Sequence, residues 1–179
     1  PQIRDLLAEN ILEKLKVEHT TEAPSYVSNP EAYEYYLNAS YKYVKRENIG
    51  DTEVARGLLY KAIELDDNLI KAKILLGETY VSVGDYDKAM DIYIPALKQA
   101  KLNGDKREIA SSLNNIGIVH HNRGDLDKAL DHYGKALSIR EELRDKRGIG
   151  SSLNNLGNIY RKKGDLDKTL DCHKRSLKI

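Results

Sequence analysis

The side chains of this chain that can do chemistry are few, and their spacing argues against catalysis. His120 and His121 are adjacent; on a helix, at about 100° per residue, they diverge and do not share a metal ion. Cys172 and His173 are adjacent too, and Cys172 is the only cysteine. The chain therefore has no intrachain disulfide and no cysteine-based metal cage. No glycine-rich phosphate loop, G-x-S-x-G elbow or H-E-x-x-H zinc motif occurs. The expectation is a segment with no catalytic residue, no metal and no cofactor. Cys172 reads as a core residue, with a reactive thiol as the alternative.

Asparagine is the more informative residue type. Ser111, Asn115, Ile118 and Asn122 fall on one helical stripe, and Ser151, Asn155, Asn158 and Lys162 repeat it 40 residues on. Asn114 and Asn154 flank the stripe. A carboxamide both donates and accepts, so a row of them can track an extended peptide backbone. Each such bond contributes roughly 1 kcal/mol net, so useful affinity needs several in register. Two other readings stay open: solvated polar residues, or Asn–Asn contacts between neighbouring copies. The earlier copy offers Lys71, Leu75, Glu78 and Ser82 at the same places. Arg161, Lys162 and Lys163 suit a helix C-terminus, or an acidic ligand.

The elements that hold these residues are written as repeats. Residues 110–139 and 150–179 are identical at 15 of 30 positions without a gap. Gly77, Gly117 and Gly157 recur every 40 residues, as do Gly84, Gly124 and Gly164, Asp85, Asp125 and Asp165, and Leu97, Leu137 and Leu177. A period of this size means stacked copies of one supersecondary unit. Each copy reads as two antiparallel helices joined at Gly-Asp. The glycine takes the left-handed turn and the aspartate caps the next helix. Leu113, Ile116, Gly117 and His120 form the inner stripe of the first helix. Leu126, Ala129, Leu130, Tyr133, Ala136 and Leu137 form that of the second. Gly117 and Ala136 are expected where two backbones approach closely, and Pro95 should bend its helix.

These motifs resemble the tetratricopeptide repeat (TPR), with Leu/Ile-Gly, an aromatic or histidine three residues on, Gly-Asp-Leu/Tyr, then Ala, Tyr and Ala at helical spacing. The 40-residue unit, longer than the family's 34, is similar to the repeats of kinesin light chains. Departures are Lys73 at an apolar position, His120 and His173 for tyrosine, and Thr169 and Ser176 for alanine. The resemblance implies an all-α, right-handed superhelical solenoid whose first helices line a concave, peptide-binding groove. It disfavours the clamp that holds a chaperone's C-terminal carboxylate, because Ile74 and Glu78 stand where that clamp has Lys and Asn.

The array is expected over 31–179, as a degenerate repeat at 31–69, full repeats at 70–109 and 110–149, and a truncated one at 150–179. Before it, residues 1–17 carry an apolar stripe (Ile3, Leu6, Leu7, Ile11, Leu12, Leu15), which predicts an extra N-terminal helix. Residues 18–30 contain Pro24 and Pro30 and read as a linker. Together with NPEAYEYYLNASYKYVKR, this leading segment looks like that of TPR arrays in bacterial signalling proteins. Many of those carry a nucleotide cyclase or kinase domain upstream. The last copy stops at Ile179, whereas the helix of the previous one runs on through Leu143, so further repeats are expected.

A formal charge of +1 gives no general attraction to nucleic acid or membrane. Hydrophobic content of 40% without an 18-residue apolar run points the same way for membranes. The lone cysteine favours a reducing, cytoplasmic setting. The expected function is a non-catalytic interaction module for a protein or peptide. A regulatory arm of a cyclase-type enzyme and a self-association module are the alternatives.

Overall fold

The structure is a computed structural model and describes residues 29–179; the expected helix at 1–17 and most of the linker lie outside the described residues. Eight helices follow in order: α1 (Pro30–Val44), α2 (Ile49–Leu65), α3 (Ile70–Val81), α4 (Tyr86–Leu102), α5 (Lys106–Arg123), α6 (Leu126–Glu142), α7 (Lys146–Lys162) and α8 (Leu166–Leu177). Pairs α1–α2, α3–α4, α5–α6 and α7–α8 are antiparallel hairpins, and each second helix packs on the first helix of the next pair. In addition α1 touches α3 and α3 touches α5, so the first helices share one face. The fold is an all-α solenoid of TPR type.

Local chemistry explains where the helices begin and end. Asn29 and Asn48 cap α1 and α2 with their side-chain carbonyls, and Pro30 occupies the first helical position. Asp85, Asp105, Asp145 and Asp165 cap α4, α5, α7 and α8. Asp125 departs from the expectation: it makes no side-chain cap on α6. Its carboxylate turns instead to His120 Nδ1, 3.3 Å away, and to Lys128. Gly84, Gly124 and Gly164 all have positive φ at the hairpin turns. Gly104 does the same between pairs, and Arg144, its counterpart 40 residues on, is held at φ 54° without the freedom of a glycine. Pro95 sits inside α4, which continues to Leu102 with the proline on the exposed side, where water reaches the carbonyl its missing N–H leaves free.

The core is a chain of small clusters. Ala32, Ala39, Leu59, Ala62, Leu69, Ala72 and Leu76 form the first. Ile70, Ile74, Ala96 and Ala100 form another beside it, followed by Ala89, Tyr93, Ile116 and Val119. Tyr133, Leu137, Leu153, Leu156, Ile159 and Cys172 lie in the last. Each is completed by two consecutive pairs, as a solenoid requires. The degenerate repeat is tied on by polar contacts as well. Arg56 of α2 is buried and donates from Nε to Thr79 Oγ1 and from Nη2 to Thr79 O, both at 2.9 Å, with its guanidinium over the Tyr80 ring. Lys73, out of place for the family, reaches Asp67 and Gln99.

The expected close backbone approach at Gly117 is corrected. A Cβ on Gly117 would lie 2.7 Å from Cε1 of Tyr133, so the glycine makes room for a ring. Gly77 is related to Tyr93 in the same way, and Gly157 to the smaller His173, with 3.0 Å to its Cε1. Tyr93 and Tyr133 are 0% and 1% exposed. Gly134, on α6, has open space around it. Gly117→Ala should therefore lower unfolding free energy by roughly 1–3 kcal/mol through overpacking. Gly134→Ala should raise it by about 0.5–1 kcal/mol through helix entropy alone. Urea unfolding of the two variants checks this, and a stabilised Gly117→Ala protein would remove the ring-on-glycine contact as the cause.

Candidate functional site

The ten candidate residues lie on α5 and α7, and the structure divides them. Asn114 and Asn115 are buried and Asn155 is half-buried. These three face other repeats. Asn155 Nδ2 donates to Asn114 Oδ1 at 3.1 Å, and Asn115 Nδ2 donates to Glu78 Oε1 at 3.1 Å. Asn114 Oδ1 also takes a long bond, 3.4 Å, from Arg140 Nη1. Ser111, Ile118 and Asn158 are half-buried, and Asn122, Ser151, Asn154 and Lys162 are exposed. The Ser111 hydroxyl donates to Arg107 O of its own helix.

Asn115 and Asn155 occupy equivalent places yet choose different acceptors, for a simple reason. Asn155 finds Asn114 in the preceding repeat. The residue equivalent to Asn114 one repeat earlier is Ile74, which has no acceptor in its side chain, and Asn115 turns to Glu78 instead. The first helices are thus joined by a ladder of amide bonds whose partners change from rung to rung.

Besides Glu78, which the stripe already included, Glu108, Tyr43, Tyr36 and Arg140 belong to this face and were not singled out from sequence. Glu78 is half-buried, and desolvation pushes its carboxyl up, against the pull of the Asn115 bond. Glu108 is buried; desolvation again raises its carboxyl, with Lys71 opposing. Tyr43 of α1 donates from Oη to Glu78 O at 3.1 Å. Tyr36 of α1 is pushed up to about 12 by burial, then by the nearby Tyr33, Glu108 and Glu78. Arg140 of α6 reaches across to α7, donating to Ser152 Oγ at 2.6 Å and Gly148 O at 3.1 Å, and burial lowers its guanidinium. The buried serines at 112 and 152, polar residues on an otherwise apolar stripe, were the available signal for such contacts.

Two openings lie on this side. One, of about 200 Å³, is lined by Tyr43, Glu78, Val81, Tyr93, Asn115 and Ile118, among others. A wider depression, about 720 Å³, is bordered by Lys146, Arg147, Ser151, Asn154 and Asn155 with Ile179. It brings three of the candidate residues together. Outside the openings, Arg123 pairs with Asp87 and Lys163 with Asp127, the same bridge one repeat apart. Exposed pairs of this kind contribute about 0–1 kcal/mol each.

The histidines and the cysteine behave as packing residues. The rings of His120 and His132 stack at 5.3 Å, and burial lowers His132, helped by His120. His121 is lowered by burial and then by Lys162. Cys172 is buried, and burial followed by Asp171 raises its thiol, which removes the thiolate a nucleophile needs. Among the described residues no group of three or more His, Cys, Asp or Glu is placed to hold a metal ion. Among them, too, no helix is long and apolar enough to cross a membrane.

Family models described as tetratricopeptide repeat match residues 68–142 and 149–179. No curated protein matches the chain in sequence. Solved structures similar in fold include BtubC (BKLC) from P. vanneervenii, at 22% identity and TM-score 0.70, with 82% of this chain and 62% of that one covered. Aspartyl phosphate phosphatase F from Bacillus subtilis gives 19% identity and TM-score 0.72, over 82% and 39%. A Rap protein complexed with competence and sporulation factor gives 21% and 0.73, over 82% and 42%. The chain spans less than two thirds of each of these. They give no support to the cyclase association that the leading segment's resemblance implies. The repeat matches, over a fold of four helix pairs among the described residues, show that the chain belongs to the tetratricopeptide-repeat family.

Proposed function

We propose that this segment is a non-catalytic interaction module that holds an extended peptide or helix of a partner protein along the face of its first helices. The observation that carries the reading is the open part of the stripe. Asn122, Ser151, Asn154 and Lys162 are exposed, and Asn158 is half-buried. No hydrogen bond to another residue engages the side chains of Asn122, Asn154 or Asn158 among the described residues, so their amides keep donors and acceptors for a backbone. The Rap protein of similar fold is complexed with competence and sporulation factor, which supports a binding role by likeness. Asn114, Asn115 and Asn155 serve this function indirectly, by holding the helices that present the open residues.

A second reading, self-association, has its own observation. On α8, Leu166, Leu170 and Leu177 are 69%, 53% and 87% exposed, whereas Leu137, the counterpart of Leu177, is 9% exposed in α6. Burying a leucine contributes about 1.5–3 kcal/mol, so a second copy, or a further repeat of the array, seated on this face would gain from it.

The first reading is checked with a random heptapeptide library captured on the immobilised protein. The triple variant Asn122→Ala, Asn154→Ala, Asn158→Ala should lose roughly 10-fold or more in retained peptide, at about 1 kcal/mol per lost bond, while its melting temperature stays within about 2 °C of the parent. Asn115→Ala should instead lower the melting temperature, because it strips a partner from half-buried Glu78. Undiminished capture by the triple variant would sink the groove reading. For self-association, light scattering should show mass rising with concentration, and Leu166→Glu with Leu177→Glu should reverse it; a strict monomer throughout excludes that reading.

A further inference from the structure

The smaller opening contains a charge that the fold does not need. Asn115 requires only an acceptor at position 78, and a neutral glutamine would supply one without the cost of desolvating a carboxylate. Glu78 Oε1 accepts that single amide bond, and no ion pair reaches its carboxylate among the described residues. Beside it, Tyr93 is 0% exposed, and its buried hydroxyl has no hydrogen-bond partner. The Glu78 charge acts on that phenol, which burial pushes far up. Tyr93 lines the same opening, so a desolvated acceptor and an unsatisfied phenol share one space. Val81 and Ile118 supply apolar wall to it.

Size and charge define the occupant. At about 200 Å³ the opening is smaller than the roughly 300–1,000 Å³ of a site for a whole small molecule, and suits one side chain. A lysine or arginine brings methylenes for Val81 and Ile118 and a cationic head for Glu78. An acidic or neutral side chain leaves the carboxylate unpaired. We infer that this opening is a specificity pocket for one basic side chain of the bound peptide, with Glu78 as its counter-charge and Val81 and Ile118 as its apolar wall. The inference rests on the groove reading above and adds the ligand's chemistry to it.

The test uses the full chain and the same heptapeptide library, read by sequencing the retained peptides. Lysine or arginine should be enriched at one position, at least about 10-fold over glutamate, as expected for a desolvated charge pair. Glu78→Gln keeps the Asn115 acceptor and should abolish that enrichment while preferences at other positions persist. Tyr93→Phe, which removes only a hydroxyl enclosed at 0% exposure, should leave the enrichment in place. Thermal unfolding separates binding from structure. With a folded pKa above the unfolded one, Glu78 contributes stability that is present below the unfolded pKa and lost as pH rises through the folded one. Glu78→Gln should therefore melt higher at about pH 7 even as basic peptides are lost. Capture of basic peptides by the parent should fall as pH falls through the raised Glu78 value. The other groups around it do not explain that change: burial pushes Tyr36 on α1 and Tyr93 on α4 upward, Tyr43 on α1 bonds only the backbone carbonyl of Glu78, Asn115 does not titrate, and Glu108 acts on the shared neighbour Tyr36. That last carboxylate is controlled by Glu108→Gln, which should leave the enrichment in place. Basic enrichment that survives Glu78→Gln, or peptides retained without a basic preference, would overturn the pocket and leave the groove standing. Retention of no peptide at all would overturn both.

Discussion

The structure depends on one steric constraint: a tyrosine ring from the second helix of a pair lying where a glycine of the first helix has no side chain. Tyr93 over Gly77 and Tyr133 over Gly117 leave no room for a Cβ. The ring fills the space between the helices of a pair, so the glycine sets how closely they approach and where the next pair meets them. Interiors packed near crystal density do not absorb an extra methyl at such a point. In the last pair His173 takes the ring's place over Gly157, with a looser fit, and the neighbouring Cys172 fills the remaining contact. The hairpin survives because Gly157 and Leu153 are unchanged and Leu156, in place of Ile116, keeps an apolar side chain buried there.

Once the pairs are spaced by rings, the opposite side of each first helix is free to be polar, and it is. The amide bonds from Asn115 to Glu78 and from Asn155 to Asn114 tie first helix to first helix. Arg140 joins them from the second helix, bonding Ser152 and Gly148. The guanidinium is half-buried, and these bonds from Nη1 offset part of the cost of desolvating it. The two sides of one helix thus differ in role: the glycine side fixes the scaffold, and the asparagine side carries what differs between repeats.

That division also explains what could be read from sequence. The period of 40, the Gly-Asp turns and the stripe of Leu113, Ile116 and Gly117 are set by local geometry and recur, so they were legible. The role of Gly117 was read as backbone approach because its neighbour lies 16 residues away on another helix; the partner Tyr133 was recognised as a core residue without being paired to it. Within the stripe, helical angle alone placed Asn115 with Asn122. It could not tell that the first would be spent between repeats and the second left open, since that depends on the side chain presented by the preceding repeat. Glu78 was read as a stripe residue and as the wrong residue for a carboxylate clamp, not as a buried carboxylate. Its burial arises from Tyr43 and Asn115, which are 35 and 37 residues away.

The positions of the stripe can then be compared as one column of a repeating table, in which geometry is constant and chemistry is not. From the second pair to the fourth, one column runs Glu78, Ile118, Asn158, and another runs Ser82, Asn122, Lys162. A third column runs Lys71, Ser111, Ser151, so the second pair presents both signs and the fourth only a cation, while the net charge of the chain is +1. Like-charge juxtaposition is expensive at interfaces and fixes register. Backbone bonds to asparagine amides do not distinguish the two directions strongly, because a carboxamide serves as donor or acceptor equally well. On the groove reading proposed above, the direction of a bound chain would therefore be set by the charges of the stripe, Lys71, Glu78 and Lys162, rather than by its amides.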